Sequence, residues 1–207
     1  GEGYNIGTPS VFCRFSGCNL WNGLEKDRKK AICSFCDTDF NGVNGINGGK
    51  YKLEDLVKII DSLWPKRKKN KFVVFTGGEP LLQLDKKIIS TVHDVGFEIG
   101  LETNGTIAPP DGIDWICVSP KANTKLILKE GNELKLVYPQ KDINPKDHEN
   151  LKFDHFYIQE NLYYYLIHFF QNNFLLYLQI LEILHNNVEV KISLQFHLLG
   201  LVYYKNQ

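Results

Sequence analysis

Residues 71–80 read KFVVFTGGEP. Phe72, Val73, Val74 and Phe75 form an unbroken apolar run that paired glycines stop. A segment apolar on both faces reads as a strand buried inside a sheet, running into a loop. On its N-terminal side, KLEDLVKIIDSLW (52–64) places Leu53, Leu56, Ile59, Ile60 and Leu63 on one helical face, and Pro65 ends the pattern. The intervening KRKKN (66–70) reads as a solvated turn. On the C-terminal side, LLQLDKKIISTVHDVG (81–96) reads as a second helix closed by Gly96. Beyond it, FEIGLETNG (97–105), DWICVSPKA (114–122), NELKLVYPQ (132–140) and FDHFYIQ (153–159) each read as a strand with its following loop, and VEVKISLQFH (188–197) as a last one. Strands separated by helices predict a parallel α/β sheet or barrel. Ligands gather at the C-terminal ends of such strands, so TGGEP (76–80), ETNG (102–105), SPKA (119–122) and IQE (158–160) are predicted to line one rim.

The 207 residues suffice for one domain with a substantial core. Apolar residues make up 43 % and charged residues 23 %, an ordinary soluble composition. Lysine plus arginine equals aspartate plus glutamate at 24 each, so charge offers no reason to expect a nucleic-acid or membrane-surface partner. The opening GEGYNIGTPS lacks the basic patch and apolar stretch of a signal peptide, and the absence of any methionine predicts residues before Gly1. The greasy stretch NLYYYLIHFFQNNFLLYLQILEIL (161–184) carries Gln171, Asn172 and Asn173 at its centre, which predicts a buried helix or helix pair rather than a membrane span.

Three of the five cysteines, Cys18, Cys33 and Cys36, fall within nineteen residues, an arrangement unlike a secreted disulfide framework. A structural zinc site would need a fourth ligand, and neither Cys13 nor His93 stands at a familiar spacing. A redox C-x-x-C pair accounts for Cys33 and Cys36 but leaves Cys18 over. An iron–sulfur cube held by three thiolates keeps one iron open to a small molecule, by the logic that leaves a catalytic zinc one free position. Spacing alone leaves all three readings standing.

The cysteines followed by TGGEP resemble the radical S-adenosylmethionine superfamily, whose C-x-Φ-C aromatic is Phe35 here. The gap of fourteen residues before Cys33 points to one branch. Arg14, GCNLW (17–21), CDTDF (36–40), NGGK (47–50), TGGEP (76–80), ETNGT (102–106), WICVSPKA (115–122) and GNELK (131–135) resemble, in order, the 7-carboxy-7-deazaguanine synthase family. The likeness covers about residues 1–160. It implies an α/β fold of the partial parallel β/α-barrel type, in one domain over 1–207 with a cluster-binding loop at 18–36. It also implies a cytoplasmic homodimer of the queuosine and 7-deazapurine pathway, reduced by a flavodoxin or ferredoxin.

The same resemblance implies roles. Cys18, Cys33 and Cys36 would hold a [4Fe–4S] cluster whose open iron binds the amino and carboxylate groups of S-adenosyl-L-methionine. Phe35, Asp37, Gly78, Glu79, Ser119, Pro120, Lys121 and Gln159 match cofactor-contacting positions. Glycines at 77 and 78 let backbone approach closely, and the Glu79 carboxylate suits an ammonium group. Glu2, Arg14 and Thr76 match positions that touch the substrate, 6-carboxy-5,6,7,8-tetrahydropterin, and the planar fork of Arg14 suits its carboxylate. Thr38 matches the ligand of a Mg2+ ion, a hard cation that favours oxygen. An adenosyl radical would take hydrogen from the pterin carbon bearing the carboxylate, and ring contraction with loss of ammonia would follow. Cys13 and Cys117 fall outside the pattern and read as small buried apolar residues.

From about residue 160 the chain departs from the family. The loop expected after Gln159 is replaced by IQENLYYY, and SLQFH (193–197) carries Phe196 where the family has threonine. The segment 160–207 is therefore a divergent C-terminal part. Two further readings stay open: another radical S-adenosylmethionine enzyme such as a glycyl-radical activator, and a non-catalytic zinc-stabilised α/β domain.

Overall fold

The computed structural model describes residues 3–161, 191–192 and 201–205. Glu2, Phe196 and all but the first residue of the 161–184 stretch lie outside them. The strands are β1 (Val11–Phe15), β2 (Gly49–Lys50), β3 (Lys71–Gly77), β4 (Phe97–Thr103), β5 (Trp115–Val118), β6 (Glu130–Tyr138), β7 (Lys152–Glu160), β8 (Lys191–Ile192) and β9 (Leu201–Lys205). They form one sheet in the order β2-β9-β1-β3-β4-β5-β6-β7-β8, with all its neighbouring pairs parallel. The end strands β2 and β8 do not meet among the described residues, so the sheet is an open, partial barrel.

Alternation along the strands explains the layering, because successive side chains point to opposite faces. One set, including Cys13, Phe15, Val73, Phe75, Ile99, Leu101, Val118, Leu134 and Leu136, is buried in the core. Helices α1 (Leu53–Leu63) and α2 (Lys86–Asp94) cover that face with Leu56, Val57, Ile60, Ile88, Ile89 and Val92. Each such side chain contributes about 1.5–3 kcal/mol when fully buried. The other set carries Phe12, Arg14, Val74, Thr76, Gly100, Glu102, Cys117 and Glu133. Neither α1 nor α2 packs on it, and it faces the inside of the barrel.

Helix α1 and strands β3 to β7 fall where the sequence predicts them. The predicted helix 81–96 is shorter, since a 3-10 turn at Pro80–Leu82 precedes a fresh start at Lys86. Asp85 causes the restart: its carboxylate accepts from the Ile88 N–H at 2.8 Å, capping α2. Gly96 closes the helix with φ +83, donating to the His93 carbonyl. Of the predicted 188–197 strand, only Lys191–Ile192 is described, as β8. Strand β9 was not foreseen, and it slots between β1 and β2.

Candidate functional site

The C-terminal ends of β1, β3, β4 and β5 converge on one rim. Cys18 follows β1 by three residues, Glu79 follows β3 by two, and Ser119 directly follows β5. Close backbone approach joins the first two loops. Glu79 N–H donates to the Gly17 carbonyl at 2.9 Å, and Gly78 N–H to the Phe15 carbonyl at 2.9 Å. A Cβ on Gly78 would stand 1.9 Å from the Gly17 oxygen, so only glycine allows this contact with the Cys18 loop. Asn19 extends the joint to the β4 loop, accepting from Asn104 Nδ2 at 2.9 Å and donating to Thr106 Oγ1 at 2.8 Å.

Glu79 is fully buried, and three donors hold its carboxylate. Thr103 Oγ1 and Leu81 N–H donate to Oε1 at 2.8 and 3.1 Å, and Asn104 N–H to Oε2 at 2.9 Å. Burial pushes its pKa above the ordinary carboxylate value, while those donors and the positive charge of Lys121 act against the rise.

The three thiols gather beside this joint. Cys33 is buried, and Cys18 and Cys36 are half-buried. Cys33 and Cys36 are hydrogen-bonded to each other, and Cys18 lies near enough to repel charge on both. The bond from Cys33 lowers the Cys36 thiol to about 7 and raises Cys33, whereas burial raises Cys18. Lys121 favours the thiolate at both Cys33 and Cys36. Its ammonium donates to Ser119 O at 2.7 Å and Ser119 Oγ at 2.6 Å, and burial draws its own pKa down.

Among the described residues, no three His, Cys, Asp or Glu side chains close around a point as one metal ion demands. A zinc tetrahedron therefore has no ready ligand set here. An iron–sulfur cube is wider than an ion and sets its cysteines farther apart. Three soft sulfurs, two of them beside the Lys121 ammonium, backed by a glycine cradle, are the donor set such a cluster takes.

The remaining predicted positions distribute as follows. Phe35 and Thr38 are half-buried and Asp37 is exposed. Thr38 Oγ1 donates to Asp37 Oδ1 at 3.4 Å. Pro120 is buried, and its carbonyl accepts from Gln140 Nε2 at 3.3 Å. Gln159 is half-buried near the end of β7, in register with Val137.

Inside the barrel the register aligns a polar row. Arg14 pairs with Thr76, Glu102 with Cys117, Cys117 with Glu133, and Glu133 with His155. Thr76 Oγ1 donates to Glu102 Oε2 at 2.9 Å, and Lys135 Nζ to Glu102 Oε1 at 3.1 Å. Beneath lies a small cavity of about 20 Å³ lined by Asn5, Phe12, Phe72, Val74, Glu102 and Trp115, among others. Nearby, Tyr4 stacks on both Trp115 at 5.1 Å and His155 at 4.0 Å, which also stack on each other at 5.9 Å.

Sequence reasoning missed several of these residues. Thr103 and Asn104 sit in the quoted ETNGT, yet their role in holding Glu79 depends on β3 and β4 being neighbours. Glu102 and Lys135 show an alternating signal, but their meeting needs the register. Gln140 locks the SPKA loop, and nothing local marks it.

A sequence model of the Radical SAM superfamily matches residues 29–126. The chain is 56 % identical over 160 residues to the 7-carboxy-7-deazaguanine synthase of Bradyrhizobium diazoefficiens, covering 77 % of this chain and 76 % of that one. It is 54 % identical over 160 residues to the protein of the same name from Burkholderia multivorans, with the same coverage. The crystal structure of QueE from Escherichia coli superposes with a TM-score of 0.63 at 22 % identity, over 95 % of this chain and 90 % of that one, which shows a shared fold.

Proposed function

The chain belongs to the 7-carboxy-7-deazaguanine synthase family, and from that premise we propose the reaction it carries out. It converts 6-carboxy-5,6,7,8-tetrahydropterin to 7-carboxy-7-deazaguanine with loss of ammonia, as a radical S-adenosylmethionine lyase of the queuosine pathway. One observation carries the reading. The three-cysteine rim and its glycine cradle stand at the mouth of a barrel whose inner wall bears the polar row from Arg14 to Glu102.

Cys18, Cys33 and Cys36 hold the cluster, and Gly78, Glu79, Ser119, Lys121 and Gln159 surround S-adenosylmethionine, with Phe35, Asp37 and Pro120 beside them. When bound, the cluster and S-adenosylmethionine supply the one-electron chemistry that removes a hydrogen atom from the substrate. Glu79 has about one lone-pair site left after its three donors, enough for the cofactor's ammonium group. Lys121 offsets the negative charge of the thiolates.

The substrate is a flat heterocycle with one carboxylate, and the barrel offers matching groups. Arg14 receives the carboxylate through its guanidinium fork. Thr76 and Glu102 present a hydroxyl and a carboxylate to the ring's polar edge, and Lys135 aims the Glu102 carboxylate. Phe12, Val74 and Trp115 line the apolar floor beneath these groups. Glu2 reads ring nitrogens from the segment that leads into Tyr4, and Thr38 supplies an oxygen to Mg2+ beside the substrate. The enzyme works as a cytoplasmic homodimer with a flavodoxin or ferredoxin as electron donor.

The test is an anaerobic assay with S-adenosylmethionine, Mg2+ and a reductant. Formation of 7-carboxy-7-deazaguanine with one ammonia released supports the proposal. A protein that carries the cluster and cleaves S-adenosylmethionine yet leaves the pterin untouched would point to another radical enzyme, such as a glycyl-radical activator.

A further inference from the structure

The fourteen residues between Cys18 and Cys33 form a polar insert with four cationic side chains close together, Lys26, Arg28, Lys29 and Lys30. Arg28 turns inward, and its side chain is only 17 % exposed. It lies in the 3-10 turn Glu25–Lys30. Its guanidinium carbon stands 4.1 Å from the centre of the Trp21 ring, which is itself buried against Phe40. Its Nε donates to both carboxylate oxygens of Glu25 at 2.8 Å. Its Nη1 donates to the carbonyls of Ser34 at 3.0 Å and Cys36 at 2.9 Å.

Those last two bonds matter because of what the loop lacks. Apart from a turn at Ser34–Phe35, Cys33 to Asp39 contain no helix or strand. A segment without helix or sheet must find other partners for its polar groups, and here Arg28 supplies two of them. They flank Phe35, whose aromatic position separates the two cysteines. The planar fork, stacked on an indole and aimed by a carboxylate, has one orientation; a lysine ammonium has no such constraint. The Glu25 pair is too exposed to add much stability by itself, so its contribution is to aim the fork.

We infer that Arg28 is the positioning residue of the cluster-binding loop: it clamps the Ser34 and Cys36 carbonyls and so presents Cys33 and Cys36 to the cluster. The insert thereby returns this side chain to the loop. The inference rests on the cluster-binding reading of the three cysteines.

The full chain, Arg28→Gln, Arg28→Lys and Glu25→Gln are reconstituted anaerobically. Iron and sulfide content, the rate of iron loss to a chelator, the electron paramagnetic resonance of the reduced cluster, and thermal unfolding of the metal-free protein are then read. Residues behind metal ligands typically change affinity by about 10- to 100-fold, so both Arg28 variants should lose iron about 10-fold faster or more, with an altered resonance and a nearly unchanged melting curve. Glu25→Gln should fall between them and the wild type. Should Arg28→Gln fail to fold, Glu25→Gln decides, and wild-type iron retention in it overturns the clamp. Arg28 variants that keep iron and resonance unchanged overturn it too. So does a lysine variant that retains iron fully while the glutamine variant loses it, because charge alone would then suffice. A wild-type protein that binds no sulfide overturns both this inference and the reading beneath it, whereas a failure confined to the variants spares that reading.

Discussion

Glu79 and Thr103 stand at the ends of neighbouring strands, and a hydrogen bond of 2.8 Å from Thr103 Oγ1 to Glu79 Oε1 joins them. With Asn104 and Leu81 also donating, the carboxylate ties the rim together from inside. Replacing it by the isosteric amide turns an NH2 group toward a donor. Glu79→Gln should therefore lose about 1–3 kcal/mol of stability through the unsatisfied buried bond. Chemical denaturation of the metal-free protein measures this, and an unchanged midpoint would remove the tie from the account. S-adenosylmethionine binding should weaken in parallel.

Gly78 presses on the Cys18 loop, where any Cβ would land 1.9 Å from Gly17 O and 3.3 Å from Cys18 Cβ. Gly78→Ala must push the loop away, at about 1–3 kcal/mol of overpacking. The expected result is lower iron content per folded chain, read by metal analysis alongside circular dichroism.

Arg14 behaves differently. Among the described residues no carboxylate pairs with its guanidinium, and the Phe12 ring lies 6.0 Å away. A charge-assisted pair with substrate is worth about 1.5–3 kcal/mol, and about 1.4 kcal/mol is tenfold. Arg14→Gln should thus raise KM about 10- to 100-fold with little change in melting temperature. A variant that melts early with an unaltered KM would make Arg14 a packing residue.

Much of this was legible in the sequence, and the failures have physical causes. The strands at 71–77, 97–103 and 152–160 announce themselves because local composition decides their burial, and each ends at a polar or glycine-rich loop. Cys18, Cys33, Cys36 and the GGE loop were visible as a pattern, and the fold brings them to one rim. Non-local pairing was not visible. Nothing in LVYYK (201–205) says that it inserts between β1 and β2. The helix predicted over 81–96 overran because leucines at 81, 82 and 84 match helical spacing, whereas the Asp85 cap restarts the chain. Nothing local in EKDRKK (25–30) marks Arg28, and only the structure shows it folded back over Trp21.

Glu133 offers a pH test. It is 1 % exposed, and burial raises its pKa above the ordinary 4.5, against the opposing pull of Lys135, Tyr4 N–H and Cys117. The folded protein thus retains a proton that the unfolded chain loses above pH 4.5. The stabilising contribution is complete below that value and disappears as pH rises through the folded pKa. Denaturation series from acid to neutral pH should show wild-type stability falling more steeply than that of Glu133→Gln. Parallel curves would mean that the carboxyl titrates alike in both states.

The central claim is that three cysteines on one rim hold an iron–sulfur cube. Metal and acid-labile sulfide analysis after anaerobic reconstitution tests it most directly, with Cys18→Ala as the companion. The account predicts about four iron and four sulfide per wild-type chain, and loss of both in the variant. Stoichiometric zinc without sulfide in the wild type would contradict it.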